Sequence, residues 1–158
     1  MKRIFNIVVG IVTLTFLAAC NSSTGLGLNE QASVKTNDKL SENPLLLHII
    51  TSSICPKDST MASLYGNDTA FIYAAHHKDS EYPAGSVLYE VTWRQQADEQ
   101  WVGANIPKEI FSIERLEYTA TGRAIYTIYK GSPLKKVMAK NTLKRVAAIS
   151  KQRMAVSP

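Results

Sequence analysis

The residue types best suited to bind a metal ion or haem are the three histidines, His48, His76 and His77. His76 and His77 are followed closely by Asp79 and Glu81, which makes this the densest group of potential metal ligands in the chain. Adjacent helical residues point about 100° apart, so both rings are not expected to reach one ion. A zinc site would need third and fourth ligands at a recognisable spacing. We therefore expect a surface helix end here, with a metal or haem contact as the alternative.

Two further residues carry side chains that could do chemistry. His48 lies in an apolar run and is expected to be a core histidine with a hydrogen-bond partner. Cys55 lies between Ile54 and Pro56 and is expected to be buried as a small apolar residue. A nucleophilic Cys55 would need a neighbouring base that lowers its pKa, and the sequence does not place one.

Common catalytic motifs are missing from the sequence. It contains no G-x-S-x-G, no phosphate-binding glycine loop and no H-E-x-x-H. Glu114 and Glu117, three residues apart in an expected strand, should face opposite sides and make a poor acid and base pair. We therefore assign no catalytic residue and no metal site, and favour a noncatalytic protein while leaving enzymatic activity open.

An antiparallel sheet is expected to occupy the middle of the chain. Apolar residues alternate with others at Val87, Tyr89, Val91 and Trp93, which is typical of a strand with one buried face. We expect this face to pack near Trp101 as part of the core, although an exposed aromatic binding platform is the alternative. A second hairpin is expected over residues 110–118 and 124–129.

Helices are expected before and after this sheet along the chain. Capping residues and stop signals predict two short helices between residues 58 and 77. Near the C-terminus, apolar residues from Leu134 to Ile149 fall on one side of a helical projection and lysines on the other. The predicted class is α+β, with a central mostly antiparallel sheet, short N-terminal helices and a C-terminal amphipathic helix.

The C-terminal region also has an unusual charge distribution. Residues 130–153 contain eight lysines and arginines and no acidic residue. A solvated face of a docked helix is the favoured interpretation, because lysines normally mark the side of a helix that faces water. Attraction to an anionic membrane surface is the alternative.

The N-terminus has the pattern of a secretory signal. Lys2 and Arg3 precede an apolar run over residues 4–16, and this run is too short to span a membrane comfortably. The following Leu17-Ala18-Ala19-Cys20 resembles the lipobox of bacterial lipoproteins. The resemblance implies a signal peptide over residues 1–19 and an acylated, palmitate-bearing Cys20; an ordinary cleavage near Ala19 is the alternative.

This signal predicts a location and a domain arrangement. We expect a protein anchored by lipid in the bacterial cell envelope, at the periplasmic face of the outer membrane in a Gram-negative cell. Removal of residues 1–19 leaves 16 basic and 13 acidic residues, a net charge of +3 that does not suggest a nucleic-acid partner. Residues 20–43 are expected to form the lipidated cysteine and a flexible tether, and residues 44–158 a single globular domain.

Several short blocks in the domain resemble the cytochrome P-460 family. They lie at residues 60–68, 82–88, 91–96 and 101–107, within a match of roughly residues 55–130, and the ending at 152–158 is also similar. The resemblance implies an extracytoplasmic domain with a sheet and packed helices that can form a homodimer. In the characterised branch it also implies a c-type haem used in redox chemistry on small nitrogen compounds.

The sequence departs from that branch at the haem attachment site. Covalent attachment needs a C-x-x-C-H run, and neither Cys20 nor Cys55 precedes a nearby histidine. Haem could therefore be held only noncovalently, with His48, His76 or His77 as the axial ligand. We favour an envelope lipoprotein that binds a small ligand or an envelope protein without catalysis; the alternative is a noncovalent haem or redox protein.

Overall fold

A computed structural model describes residues 29–77 and 81–154. The predicted signal peptide, Cys20 and the first part of the predicted tether lie outside the described residues, as does Asp79. The described residues form an α+β fold with one six-stranded sheet.

The sheet is an antiparallel meander in which each strand pairs with the next strand along the chain. The strands are β1 His48–Cys55, β2 Thr60–Gly66, β3 Val87–Ala97, β4 Asn105–Tyr118, β5 Ala124–Lys130 and β6 Lys135–Val137. The two predicted hairpins are confirmed as β3 with β4 and β4 with β5. Since β1 and β6 are the outer strands, β3 and β4 lie in the centre.

Both faces of the central strands are buried. Tyr89, Val91 and Trp93 of β3 point to one face, as the alternation predicted, and Leu88 and Glu90 are buried on the other. A strand buried on both sides needs a cover on each side, and different parts of the chain supply the two covers. Helices cover the Leu88 face, and the residues before β1 cover the Trp93 face.

Two helices pack on the Leu88 face. The helix α1 is Asp68–His76 and the helix α2 is Thr142–Ser150. Buried Ala70 of α1 and Ile149 of α2 belong to one core cluster with Leu88. In the described residues no helix combines the length and the apolar composition needed to cross a membrane.

The short helix predicted before residue 66 is wrong, because residues 60–66 form the strand β2. This segment pairs with β1 on one side and with β3 on the other, and these two ladders outweigh the local capping signals. The predicted C-terminal helix also begins later than expected. Residues 135–137 pair with β5 as the edge strand β6, and α2 starts only at Thr142.

The start of α1 is held to the sheet by Asn67 and Gly66. The Asn67 side chain accepts hydrogen bonds from the backbone N–H groups of Ala70 and Val87, both at 3.1 Å. A Cβ atom on Gly66 would lie 2.8 Å from the Ile50 side chain, so only glycine allows this close approach. The cap and the glycine together fix the angle at which α1 leaves β2.

The predicted tether spans residues 20–43, but its described part, residues 29–43, packs on the Trp93 face. Ala32, Val34 and Leu40 are partly buried against the core cluster on this face. The Trp93 indole N–H donates to the Ala32 carbonyl at 2.9 Å. Few large apolar residues are needed here, because each lies against a core formed by distant strands. The packed domain therefore includes the described residues 29–43 as well as those from residue 44 onward.

Trp93 and Trp101 have opposite surroundings. Trp93 is 6% exposed in the centre of the core, whereas Trp101 is 70% exposed in the turn between β3 and β4. The expectation that the two residues pack together is therefore wrong. Trp101 lies in the turn at residues 98–104, and the described residues leave its indole largely exposed.

This contrast gives a test of the fold. Trp93→Ala should reduce the free energy of unfolding by about 3 to 5 kcal/mol, because a buried tryptophan leaves a cavity and the Ala32 carbonyl loses its donor. Trp101→Ala is the matched control and should change it by less than about 0.5 kcal/mol. Urea unfolding of both variants measures the difference. Similar small losses in both would contradict the burial of Trp93.

Candidate functional site

The three histidines lie on the surface rather than around a common centre. His48 is exposed at the start of β1, where its Nε2 lies 2.8 Å from the Asp68 carboxylate. Its ring also packs against Phe71 of α1, with 4.7 Å between ring centroids. The expected core position of His48 is thus not seen, because the buried side chain of this edge strand is Ile50.

His76 and His77 occupy the C-terminal end of α1. The Nδ1 atom of His76 donates to the Ile72 carbonyl at 2.8 Å, and the Nδ1 of His77 lies 3.2 Å from the Tyr73 carbonyl. The His77 ring also stacks on Tyr73 with centroids 4.1 Å apart. The Tyr73 carbonyl also accepts from the His77 backbone N–H at 2.9 Å, so these side chains add hydrogen bonds to carbonyl groups in the last turn of α1. Each histidine therefore has a structural contact in the described part of the chain.

Cys55 is exposed at the end of β1, and the expectation that it is buried is wrong. Its thiol donates to an Asp58 carboxylate oxygen at 3.2 Å. The strand turns away from the core at this point, so the apolar residues before Cys55 do not enclose it. Within residues 29–77 and 81–154, no three histidine, cysteine or acidic side chains converge in a way that could hold a metal ion.

A buried pair of carboxylates is the most unusual electrostatic feature of the fold. Glu90 of β3 and Glu114 of β4 are directly opposite each other in the sheet, and both are buried. Arg145 of α2 donates to both carboxylates; its Nε lies 2.8 Å from a Glu114 oxygen, and its Nη2 contacts Glu90. Gln152 donates to the second Glu90 oxygen at 2.8 Å, and the Tyr126 hydroxyl donates to Glu114. We call these five residues the acidic clamp.

The acidic clamp contains two carboxyl groups and one guanidinium, and neutral hydrogen-bond donors add to the effect of this single cation. Burial raises the pKa of Glu90, whereas Arg145 and Gln152 lower it. Hydrogen bonding to Glu114 is the largest influence that raises the pKa of Arg145, so its guanidinium stays charged. Every carboxylate oxygen of the pair accepts a hydrogen bond. This arrangement holds α2 on the sheet and leaves no carboxylate oxygen without a partner.

Sequence reasoning missed the acidic clamp. In the sequence, the acidic residue near Glu114 is Glu117, three residues away. The residue opposite Glu114 in the sheet is Glu90, which lies on another strand. One signal was available: Glu90 interrupts an otherwise apolar strand between Tyr89 and Val91. A charged residue between such neighbours predicts a buried ion pair, but the partner depends on register and helix placement.

A cleft lies between the N-terminal segment, residues 29–47, and a wall formed by residues 109–111 of β4 and the residues around the end of β5. Its volume is about 400 Å³, and its surface is mainly apolar. We call it the N-terminal cleft; it is lined by Gln31, Ser33, Lys35, Asp38, Glu109, Ile110, Phe111, Lys130, Gly131, Ser132 and Leu134. None of the three histidines lines it. A mainly apolar cleft with a few polar groups is the usual form of a small-ligand site.

Local irregularities in the backbone shape the N-terminal cleft. Thr92 pairs with Ser112 and Trp93 pairs with Ile110, so Phe111 is an extra residue in β4 that has no partner in β3. The Phe111 ring lies between two cations, with Arg94 at 4.2 Å and the Lys130 amine at 5.1 Å from its centroid. On the other side, Asp38 accepts a hydrogen bond from the Leu134 N–H at 2.7 Å. Aromatic surface and charged groups thus meet at the cleft wall.

The acidic clamp predicts a strong and pH-dependent role for Arg145. Breaking a buried ion pair costs about 3 to 5 kcal/mol; because the Arg145 side chain is 39% exposed, we expect Arg145→Ala to lose about 2 to 3 kcal/mol at pH 7. Lys144→Ala, on the exposed side of the same helix, is the control. Chemical unfolding at several pH values measures both.

The pH dependence has a definite sign. Burial raises the pKa of Glu90, which means that the folded state favours its protonated form. When Arg145 is absent, the ionised carboxylate loses its cation. The loss of unfolding free energy in Arg145→Ala should therefore become smaller as the pH falls and Glu90 is protonated. Adding Glu90→Gln and Glu114→Gln should restore stability at pH 7 for the same reason. A deficit that is independent of pH and of these additions would show that Arg145 acts through packing alone.

Comparison of the chain with models of known protein families and with curated proteins finds no match. The function must therefore be inferred from the residues and the geometry of the chain itself.

Proposed function

We propose that the chain is a membrane-anchored lipoprotein of the bacterial cell envelope. Its domain, which resembles the cytochrome P-460 family, binds a small ligand or a protein partner without catalysis. We also propose that the C-terminal helix α2 is amphipathic, with its apolar residues on the sheet and its lysines in water. The N-terminal cleft is the observation on which the binding function rests.

The first twenty residues support the proposed location in the cell envelope. The basic start, the short apolar run and the Leu17-Ala18-Ala19-Cys20 sequence favour cleavage before Cys20 and acylation of its thiol. Each buried methylene of an acyl chain contributes about 0.8 kcal/mol to membrane binding, so several chains on one cysteine hold a protein stably. The domain would then act next to a membrane.

Binding is favoured at the N-terminal cleft by the composition of its wall. Ile110, Phe111 and Leu134 offer apolar surface for the body of a ligand. Lys35, Asp38 and Glu109 place charged groups at the same wall and can orient a polar end. We expect a small molecule with an apolar body and a polar end to suit this arrangement best.

Binding is favoured over catalysis because the strongest catalytic candidates already have structural contacts. Every oxygen of the Glu90 and Glu114 carboxylates already accepts a hydrogen bond from the protein, and a general base must also accept a proton from the substrate. His76 and His77 each use Nδ1 at the end of α1. These contacts give each of these groups a role in holding the fold together.

Binding at the cleft can be tested with the apolar fluorescent probe 1-N-phenylnaphthylamine. We expect its fluorescence to rise in the presence of the mature chain, and Phe111→Ala to weaken binding about tenfold because part of the apolar wall is removed. Trp101→Ala removes an exposed aromatic residue outside the cleft and is the control.

Two results would contradict this assignment. Equal binding by Phe111→Ala and the unchanged chain would place the probe outside the N-terminal cleft. A Soret band in protein purified from its native envelope would favour the noncovalent haem alternative instead.

The anchor is tested by Cys20→Ser in the full-length chain. Because the acyl chains attach to the Cys20 thiol, the variant should lose labelling by palmitate and should not mature normally. Cys55→Ser is the matched control, since it removes the other cysteine, and it should be labelled and processed like the unchanged chain. Normal labelling of Cys20→Ser would refute the lipobox assignment.

A further inference from the structure

A cationic edge of the domain has no partner among the described residues. The edge strand β6 and the loop after it carry Lys135, Lys136 and Lys140, all exposed. Lys135 lies directly opposite Lys130 of β5, a like-charge arrangement that is unfavourable by itself. We call residues 135–140 the basic edge.

The basic edge also exposes apolar side chains. Met138 is 92% exposed, and the neighbouring Val137 is 39% exposed. Lysines on an outer strand can prevent pairing with another sheet, and this accounts for Lys135 and Lys136. It does not account for Lys140, which follows the strand, or for a fully exposed methionine between the lysines. Cations around an exposed apolar side chain are typical of a surface that contacts a bilayer.

Charge complementarity identifies the contact. Residues 130–153 contain no acidic residue, and Arg145 is the one basic residue of this stretch that forms an ion pair in the described structure. Lys135, Lys136 and Lys140 of the basic edge form no ion pair with another described residue, so their charges add. We propose that the basic edge is a second membrane contact, which binds anionic phospholipid headgroups while Met138 enters the interface.

The start of the described chain lies near this edge. Gln31 and Leu134, the residue just before β6, line the same cleft, and the Lys39 N–H donates to the Leu134 carbonyl at 3.0 Å. Eight residues lie between Cys20 and Asn29, and the nine steps from Cα to Cα can span at most about 30 Å. An acyl anchor on Cys20 would hold Asn29 within that distance of the bilayer and keep the basic edge on the same small domain near the membrane. This step rests on the proposed lipoprotein function, whereas the charge argument does not.

The contact can be tested separately from the anchor. The mature chain, residues 20–158, with Cys20→Ser is mixed with vesicles of phosphatidylcholine alone or of phosphatidylcholine with phosphatidylglycerol, and bound protein is measured by cosedimentation. We expect binding to the anionic vesicles only, and a decrease as salt is added.

Substitutions locate the binding surface. Each lysine at an anionic surface contributes about a fivefold increase in partitioning, so Lys136→Gln with Lys140→Gln should reduce it about 25-fold. Lys57→Gln with Lys108→Gln removes the same charge from exposed positions outside the basic edge and should have little effect. Met138→Ser should weaken binding without changing its salt dependence. Thermal melting of each variant checks that the fold is retained.

Several outcomes would overturn the proposal. Equal losses from both lysine pairs would show a net-charge effect rather than a docking surface, and absence of binding to anionic vesicles would exclude the contact. Competition by millimolar inorganic phosphate would instead indicate a small-anion site in the adjacent cleft of about 440 Å³, which Lys140 and Arg145 line. Palmitate labelling of the chain with Cys20 intact tests the anchor independently, so the two failures are distinguishable.

Discussion

Glu90 and Glu114 face each other across the two central strands, and this arrangement of like charges depends on Arg145 lying between them. Two buried carboxylates at adjacent positions would repel each other and would lack the water that normally solvates them. A guanidinium can donate to both, because its N–H groups point in several fixed directions. The position of α2 is therefore set by charge as well as by the packing of Ile149.

The placement of α2 has consequences along the chain. Because Arg145 must reach the sheet, the loop that precedes α2 is held beside β5 and β6 and exposes Met138 and Lys140. The cationic residues near the C-terminus thus divide into two groups with different roles. Arg145 stabilises the interior, and the lysines of the basic edge remain at the surface, where they can meet an anionic partner.

The opposite face of the sheet depends on the N-terminal segment. Ala32 accepts a hydrogen bond from Trp93, while the buried Tyr89 hydroxyl lies 3.0 Å from both Ser41 and Glu42. This segment also forms one wall of the N-terminal cleft. A ligand in that cleft would contact the part of the domain closest in sequence to Cys20, so binding and membrane attachment would meet at one end of the molecule.

The sequence alone determined the features that depend on local periodicity. Alternation at Tyr89, Val91 and Trp93 predicted the central strand and its buried face, and turn residues around Gly122 predicted the second hairpin. These predictions succeeded because side chains on a strand alternate between its two faces whatever the strand packs against. The proposed envelope location also rests on the sequence alone, since a secretory signal is recognised as a linear segment.

Tertiary structure decided the features that depend on contacts between distant residues. Residues 60–66 had helical signals but became a strand between two others, and residues 29–43 had too few apolar residues to predict packing. The acidic clamp joins residues 90, 114 and 145, whose meeting requires both the register of β3 with β4 and the placement of α2. The strand register and the position of α2 are those that give the whole chain its lowest free energy. No local pattern in the sequence therefore specifies them.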